Sequence, residues 1–349
     1  MKKYKICKIL LVILAIFLCV AFYELLGICV AYKKQPEVSN TTKKETKNGS
    51  WNECSENTER AVIIEKNPEA LLQRVRLIKN AKKEIILSTF AFQSDESGKL
   101  ILGALHDAAD RGVHIRLLVD GMESWIDMEG NPYFYGLSSH ENVEIKLYNK
   151  ANPLKPWKIM GRMHDKYLIA DGKRYILGGR NTYNYFLGDF PGHKNYDRDV
   201  LVVCDEPEKE NSVNQLLEYF ETIWEQEDSD YFHDNKKLAN RKSVKNAVLE
   251  LQNGYQKYFE ENKERICDTD YTDETFETEK IALVSNPIHT GSKEPVVWYQ
   301  LGELMKNAKN RVKIHTPYII CNDMMYNTWE EIAENVSDFS IMTNSVANN

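Results

Sequence analysis

The chain has 349 residues and a formal net charge of −7 at pH 7. About 290 residues follow the first sixty, which is enough for two lobes with sizeable hydrophobic cores. The seven cysteines are scattered without a C-x-x-C pair, so their spacing indicates neither a zinc site nor a disulfide framework.

The N-terminal segment is long and apolar. Residues 9–32 contain one charged residue, Glu24, and follow lysines at positions 2, 3, 5 and 8. About 24 apolar residues can cross a bilayer as a helix, and no small-x-small cleavage site follows. We therefore expect residues 1–32 to be a retained anchor of a single-pass membrane protein. The preceding lysines predict a cytoplasmic N-terminus and an extracytoplasmic body, although five lysines between 33 and 47 weaken this bias.

Beyond the anchor, a polar segment is followed by a region of alternating helix and strand patterns. Residues 33–59 are polar and rich in Lys, Thr and Asn, which is typical of a disordered tether. Helix and strand patterns then alternate, with helices expected over 68–82 and 99–111 and strands over 84–92, 113–120 and 143–148. This alternation predicts an α/β fold in which helices flank a layered mixed β-sheet.

The most specific pattern lies in residues 161–181. Its spacing is H-x-K-x4-D-x6-G-G-x-N, formed by His164, Lys166, Asp171, Gly178, Gly179 and Asn181. A strand that begins near Met163 would place the His164 and Lys166 side chains on one face. A turn at Asp171-Gly172 would bring Gly179 opposite His164, and a turn shifted by one residue would bring Asn181 there.

The composition of this hairpin suits a phosphoryl group. Imidazole, ammonium and amide groups can all contact phosphate oxygens. The two glycines are expected to leave open space and bare backbone N–H groups, where an anion could approach closely.

The motif resembles that of the phospholipase D superfamily. The segments GRMHDKY, LGGRNTYNYFLGD and NYDRDVLV are similar to those of cardiolipin synthases and related membrane phosphatidyltransferases. The resemblance covers residues 60–349. It implies a two-step displacement at a phosphodiester that needs neither a metal ion nor another cofactor.

The resemblance also implies roles for single residues. His164 is expected to be the nucleophile that forms a phosphohistidine, or the acid that protonates the leaving oxygen. Lys166 and Asn181 are expected to bind the non-bridging oxygens, and Asp199 to orient the histidine. Asp171, Gly178 and Gly179 complete the motif, and Asp171, at the turn, is given a structural role. Tyr183 stands where many members have serine, which removes one possible hydroxyl contact.

The family builds one active site from two such motifs. Residues 80–92 resemble residues 307–319 at an offset of 227, and each segment follows an amphipathic helix. The second histidine is therefore expected near position 391, beyond Asn349. Residues 280–349 are accordingly expected to form an incomplete second phospholipase D-like lobe. A homodimer, or another chain that supplies the second motif, would complete the site.

Charge is unevenly distributed along the chain. Residues 155–199 contain nine Lys/Arg and five Asp/Glu, whereas residues 205–279 contain nine and twenty-one. The basic motif region favours a phosphate-bearing ligand. The acidic segment, interpreted as a helical insert and linker after a first lobe at 60–204, argues against nucleic acid as a partner.

Two loops next to the motif are candidates for contact with a phospholipid. Residues 154–160 contain Trp157, and residues 183–190 contain Tyr183 and Phe186. Together with Arg180, these side chains would line a basic pocket with an apolar rim. The alternative is that the aromatic side chains pack inside the lobe.

The sequence thus supports one main hypothesis and two alternatives. The main hypothesis is a membrane-anchored, phospholipase D-like phosphatidyltransferase or phosphodiesterase that acts on phospholipids. The first alternative is a phosphodiesterase or nuclease of the same superfamily. The second is a truncated remnant that binds phospholipid without turnover.

Overall fold

The computed structural model describes residues 2–49, 59–204, 206, 211–233 and 235–345. The chain divides into two compact units. Unit 1 comprises Met1–Lys33 and Cys54–Leu283, and unit 2 comprises Lys34–Glu53 and Val284–Asn349.

The described helices are α1 (Lys2–Tyr32), α2 (Asn40–Asn48), α3 (Asn67–Asn80), α4 (Glu96–Asp110), α5 (Gly121–Asp127), α6 (Pro132–Ser138), α7 (Ser212–Trp224), α8 (Lys242–Glu261), α9 (Lys263–Cys267), α10 (Val296–Lys306) and α11 (Asp323–Asn335). The described strands are β1 (Glu59–Ile64), β2 (Glu84–Thr89), β3 (His114–Asp120), β4 (Val143–Tyr148), β5 (Lys166–Ala170), β6 (Arg174–Gly178), β7 (Asp199–Cys204), β8 (Ser229–Tyr231), β9 (Phe276–Glu277), β10 (Arg311–His315) and β11 (Asp338–Met342). Short 3-10 turns occupy Pro156–Lys158 and Lys236–Asn240.

Nine strands of unit 1 form one mixed sheet in the order β8-β4-β3-β2-β5-β6-β7-β1-β9. Strands β2, β3 and β4 are parallel, so their carboxyl ends meet at one edge. Strand β5 pairs antiparallel with β2 and therefore starts from that same edge. The mixed sheet with flanking helices confirms the predicted fold class.

Helices cover both faces of this sheet. On one face, alternate residues of β3 (Ile115, Leu117 and Val119) join a core shared with α3, α4, α6 and α8. On the other face, the Arg116 guanidinium carbon lies 4.8 Å from the ring centroid of Phe220 on α7. Successive residues of β3 therefore face opposite sides of the sheet and contact different helices.

The described part of residues 205–279, which we expected to be a helical insert and linker, contributes two strands to the sheet of unit 1. Strand β8 pairs with β4 at one edge, and β9 pairs with β1 at the other. Helix α8 buries one face at helical spacing, formed by Val244, Ala247, Leu251, Tyr255 and Phe259. The acidic composition does not reveal these strand pairings and buried contacts, because the charged residues occupy the outward positions of the helices.

Unit 2 is small and has its own core. Strands β10 and β11 are parallel, and Val312, Ile332 and Val336 are buried together. Helix α2 begins at the N-cap Ser39 and also belongs to this unit, where the Thr42 hydroxyl donates to Glu294 over 2.7 Å. The expected disordered tether is therefore helical over residues 40–48. The part of it at residues 50–58 lies outside the described residues.

Helix α1 has 31 residues, and an 18-residue stretch within it has a mean hydropathy of 2.9. At about 1.5 Å per residue, a helix of this length exceeds the hydrocarbon thickness of a bilayer. Among the described helices, α1 alone is long and apolar enough to cross a membrane.

Candidate active site

The motif lies at the sheet edge where β2 and β3 end and β5 begins. Lys166, the first residue of β5, pairs with Thr89, the last residue of β2. His164 thus precedes the strand, although we expected the strand to start near Met163. The carboxyl ends of parallel strands commonly carry the ligand site in sheets of this kind.

The hairpin turn differs from both predicted two-residue turns. Ala170 pairs with Arg174, and the backbone N–H of Lys173 donates to the Ala170 carbonyl over 3.1 Å. Asp171 and Gly172 both have positive φ, at 55° and 62°. Three residues therefore connect β5 and β6. The register of strand pairing lies midway between the two predicted registers.

Asp171 ties this hairpin to the start of β2. Its carboxylate accepts hydrogen bonds from the backbone N–H groups of Lys82, Lys83 and Glu84, at 2.7 to 3.1 Å. An aspartate tolerates the left-handed conformation that the turn requires better than most residues do. The contacts of Asp171 are thus with the backbone of a neighbouring strand.

His164 is solvent-accessible, and its ring meets the side chain of Phe90 edge to face with the centroids 4.6 Å apart. Loss of solvation by the surrounding atoms, followed by the charge of Lys166, lowers the pKa of the imidazole to about 4. The ring is therefore neutral at neutral pH. A neutral imidazole has the free lone pair that a nucleophile needs.

Lys166 is 6% exposed, and its ammonium donates to the His164 carbonyl over 2.6 Å. The ammonium nitrogen also lies 5.3 Å from the ring centroid of Phe90. Burial lowers the pKa of Lys166 to about 8, against the opposing effect of Asp165, Asp197 and Asp120. Most of the lysine is therefore still charged at neutral pH, next to a neutral histidine.

Asn181 is buried and held by the segment that follows β2. Its side-chain oxygen accepts from the Ala91 backbone N–H over 3.2 Å, and the N–H of Thr182 donates to the Ala91 carbonyl over 3.0 Å. Its amide also hydrogen-bonds to Tyr183, which lowers the pKa of that phenol against the larger, opposite effect of burial. Tyrosine thus keeps a hydroxyl beside Asn181, where we expected one to be lost.

Asp199 sits in a buried charge cluster. Arg74 of α3 donates to one carboxylate oxygen over 2.9 Å, and Arg180 lies 3.3 Å from the same oxygen. Its other oxygen, Oδ1, is buried with no hydrogen-bond partner among the described residues. The described contacts of Asp199 do not include His164, so its expected role in orienting the imidazole stays a prediction.

The two glycines make room for carboxylates of the protein itself. A Cβ atom at Gly178 would overlap an oxygen of Asp199, and one at Gly179 would overlap an oxygen of Asp197. The expected open space for a bound anion is therefore absent at these two positions. Gly178 pairs with Asp199 of β7 and Asp197 precedes that strand, so acidic side chains lie over both glycines.

The candidate substrate contacts separate into buried and exposed groups. Arg180 is 1% exposed and donates to Asn67, to the carbonyls of Ile64 and Glu65, and to the carbonyl of Asp197. Its guanidinium is thus held inside the protein, where we expected it to line the substrate pocket. Phe186 packs against the core, whereas Trp157 is largely exposed.

Asp120, which was not predicted, fixes the residues that precede His164. This aspartate ends β3 and is fully buried. Its carboxylate accepts from the backbone N–H of Met163 over 3.1 Å and pairs with the guanidinium of Arg162. An acidic residue at the end of a parallel strand, at the same edge as the motif, was the signal that could have revealed it.

Comparisons with known proteins agree with this architecture. Residues 74–224 match the family described as "Cardiolipin synthase, PLD-like domain". Cardiolipin synthase C of Escherichia coli K12 is 29% identical over 171 residues, which cover 45% of this chain and 34% of that protein. An uncharacterized protein of Helicobacter pylori (strain ATCC 700392 / 26695) is 27% identical over 315 residues, covering 82% and 59%.

Among solved structures, the phosphatidylserine synthase of Haemophilus influenzae Rd KW20 superposes with a TM-score of 0.53 at 16% identity. The superposition covers 87% of this chain and 66% of that chain, and the likeness is one of fold. This chain spans 59% and 34% of the lengths of the two sequence relatives.

Proposed function

We propose that the chain transfers or hydrolyses phosphatidyl groups through a covalent intermediate on His164, because residues 74–224 match the family described as "Cardiolipin synthase, PLD-like domain". The observation that carries the proposal is the pairing of a neutral imidazole with a buried ammonium two residues away.

In the first step, a lone pair of the His164 imidazole attacks the phosphorus atom of a phospholipid. A P–N bond forms, the P–O bond to the headgroup alcohol breaks, and the leaving oxygen takes up a proton. We assign that proton to a second copy of the motif. In the second step, water or an alcohol attacks the same phosphorus, its proton passes to the group that protonated the leaving oxygen, and the P–N bond breaks.

Lys166 and Asn181 would stabilise the charge that develops on the non-bridging oxygens. The lysine ammonium has three donors, and the described hydrogen bond to the His164 carbonyl uses one of them. The Asn181 oxygen is held by the Ala91 backbone N–H, which fixes the orientation of its amide. Groups fixed before the reaction cost little reorganisation in the transition state.

Helix α1 supports a membrane location for this reaction. Its length and apolar composition are those of a bilayer-spanning helix. We therefore propose that α1 anchors the chain in the membrane that contains its substrate.

The test is to trap the intermediate. The full chain, reconstituted in vesicles, would be mixed with a phospholipid radiolabelled at phosphorus and quenched in alkali, because phosphohistidine survives base better than acid. We expect label on the wild type, no label on His164→Ala and at least about a hundredfold slower labelling of Lys166→Met. His289→Ala, which changes a histidine of unit 2 outside the motif, is the matched control and should label normally.

The chase distinguishes the reactions. Label that leaves with water indicates hydrolysis, and label that leaves with phosphatidylglycerol indicates transfer to an alcohol. A folded wild-type chain that binds the phospholipid but takes up no label would contradict the catalytic proposal and support binding without turnover.

A further inference from the structure

The sheet edge that carries His164 also exposes large apolar side chains. On α5, Trp125 is 69% and Ile126 is 67% exposed. In the loop that precedes the motif, Leu154, Trp157 and Met160 are exposed as well. We call these five residues the edge patch. Clustered exposed side chains of this size mark an interaction surface more often than isolated ones do.

The two segments lie together because β3 and β4 end together. Asp120 pairs with Tyr148 at the carboxyl ends of these parallel strands. Helix α5 begins directly after Asp120, and the loop begins directly after Tyr148. A Cβ atom at Gly121 would lie 2.6 Å from the backbone nitrogen of Lys150, so the start of α5 packs closely on the start of the loop.

One residue connects the edge patch to the candidate active site. The Asp120 carboxylate accepts from the backbone N–H groups of Met122 and Glu123, which caps α5. The same carboxylate accepts from the N–H of Met163, the neighbour of His164. The orientation of α5 is thus fixed relative to the catalytic hairpin.

The loop is also in contact with the apolar helix α1. The Tyr23 hydroxyl donates to the Leu154 carbonyl over 3.0 Å, and Pro156 lies against Gly27. Partly covered positions of α1 recur at helical spacing, at residues 21, 24, 27, 28 and 31. The edge patch therefore adjoins the last third of the segment that is long enough to cross a bilayer.

The charge of the loop suits an anionic surface. Residues 149–162 contain Lys150, Lys155, Lys158 and Arg162, and no acidic residue. Lys158 pairs with Asp228 and Arg162 with Asp120, whereas Lys155 is exposed. Tryptophan, aliphatic side chains and lysine together are the composition typical of segments that lie at the headgroup level.

We propose that the edge patch docks on the surface of the bilayer that α1 spans, with Trp125 and Ile126 entering the headgroup region. This inference rests on the proposed function. Docking would turn the His164 edge of the sheet towards the phosphodiesters of membrane lipids. The contact between the loop and α1 favours lipid over a protein partner, because it brings the edge patch to the end of the spanning segment.

The first experiment measures insertion directly. The full chain is reconstituted in vesicles of phosphatidylethanolamine and phosphatidylglycerol, with and without bromine atoms high on the acyl chains, which quench nearby tryptophan. Trp125→Phe keeps an apolar ring and removes one fluorophore. We expect the wild type to be quenched more strongly than Trp125→Phe. Equal quenching of the two proteins overturns docking on lipid and points to contact with another protein.

The second experiment measures the consequence for labelling. The double variant Trp125→Ser/Ile126→Ser should label with vesicle phospholipid roughly tenfold more slowly than the wild type, since each lost side chain removes apolar burial. With a short-chain phospholipid kept below its micelle concentration, the same variant should label within about twofold of the wild type. Leu249→Ser changes an exposed leucine of α8 and is the matched control, expected to label normally with both substrates.

These outcomes separate the two proposals. If labelling slows equally with both substrates, the two side chains affect the active site itself, and the docking proposal is overturned. A wild-type chain that labels with neither substrate overturns the proposed function, and the quenching experiment still decides the docking.

Discussion

At the scale of single residues, the candidate site depends on one effect, loss of solvation, acting on two neighbouring groups with different ordinary pKa values. Burial lowers the pKa of both His164 and Lys166, because each carries its charge in the protonated form. The histidine starts close to neutrality and becomes uncharged. The lysine starts far above it and stays largely charged. The proposed nucleophile and the proposed oxygen-binding cation would thus be obtained from the same physical effect.

The pH dependence of labelling follows from these shifts. The imidazole loses its proton as the pH rises through about 4, and the ammonium loses its proton as the pH rises through about 8. Labelling that needs a neutral His164 and a charged Lys166 should therefore rise through the lower value and fall above the higher one. Initial labelling rates across this range test it, with folding monitored by circular dichroism. A lower limb near the ordinary histidine value of about 6.5 would contradict the shift.

Gly178 is required by the side chain of Asp199. A Cβ atom there would also lie 2.6 Å from the Arg198 carbonyl oxygen, which is backbone and cannot rotate away. We expect Gly178→Ala to lower the free energy of unfolding of unit 1 by about 2 kcal/mol. Urea denaturation of the reconstituted chain, followed by tryptophan fluorescence, measures this.

The matched control for that change is Gly254→Ala. Gly254 lies within α8, and no atom is within 4 Å of its would-be Cβ. Alanine there should leave stability unchanged or raise it by about 0.5 to 1 kcal/mol, because glycine is a poor helix former. Equal losses from both changes would show that overlap with Asp199 is not the cause.

At the scale of elements, the catalytic hairpin is held at both ends. Its turn is tied to the start of β2 by Asp171, and its open end is tied to the end of β3 by Asp120. Both contacts join a carboxylate to backbone N–H groups, which are stronger when the acceptor is charged. The position of His164 relative to the sheet is therefore set by two acidic residues whose carboxylates bind backbone N–H groups.

Asp171 can be tested by two substitutions that separate its effects. Asp171→Ala removes the acceptor for three backbone N–H groups and places alanine at a positive φ of 55°. We expect a loss of about 2 kcal/mol in the free energy of unfolding. Asp171→Asn keeps an acceptor oxygen and tolerates the turn, so its loss should be under about 1 kcal/mol.

Asp189→Ala is the control for these measurements, because Asp189 is an exposed carboxylate of the same unit with no hydrogen bond among those described. It should change the free energy of unfolding by less than about 0.5 kcal/mol. If Asp171→Ala behaves like this control, the hairpin does not depend on the contact with β2.

At the scale of the whole molecule, the two units differ in the size of their cores. Unit 1 buries a large cluster that extends across the nine-stranded sheet, whereas the described core of unit 2 has three buried residues, Val312, Ile332 and Val336. The free energy available from apolar burial scales with the area removed from water. Unit 2 should therefore open more readily than unit 1.

Hydrogen exchange followed by mass spectrometry tests this difference. We expect the amides of β10 and β11 to exchange at least about a hundredfold faster than those of β2 and β3 in the reconstituted chain. Comparable protection in both pairs of strands would mean that unit 2 is stabilised by more than its described core.

Local patterns in the sequence indicated the motif and the fold class. The spacing of His164, Lys166 and Asn181 and the alternation of helix and strand patterns are local properties, and both follow from side-chain identity and chain periodicity. The family resemblance followed from the same local residues. Such patterns can be recognised in the sequence because they depend on residues that are close together along the chain.

Which charged side chains pair with each other depends on the tertiary structure. Arg180 lies beside the motif asparagine in the sequence, yet it is buried against Asp199 and the backbone after β1. The space beside Gly178 and Gly179, where we expected an anion, holds the side chains of two aspartates. The acidic segment after β7 contributes strand β8 to the sheet. These outcomes depend on which strands pair, so contacts between residues that are separated along the chain determine them. Local composition carries no record of that pairing.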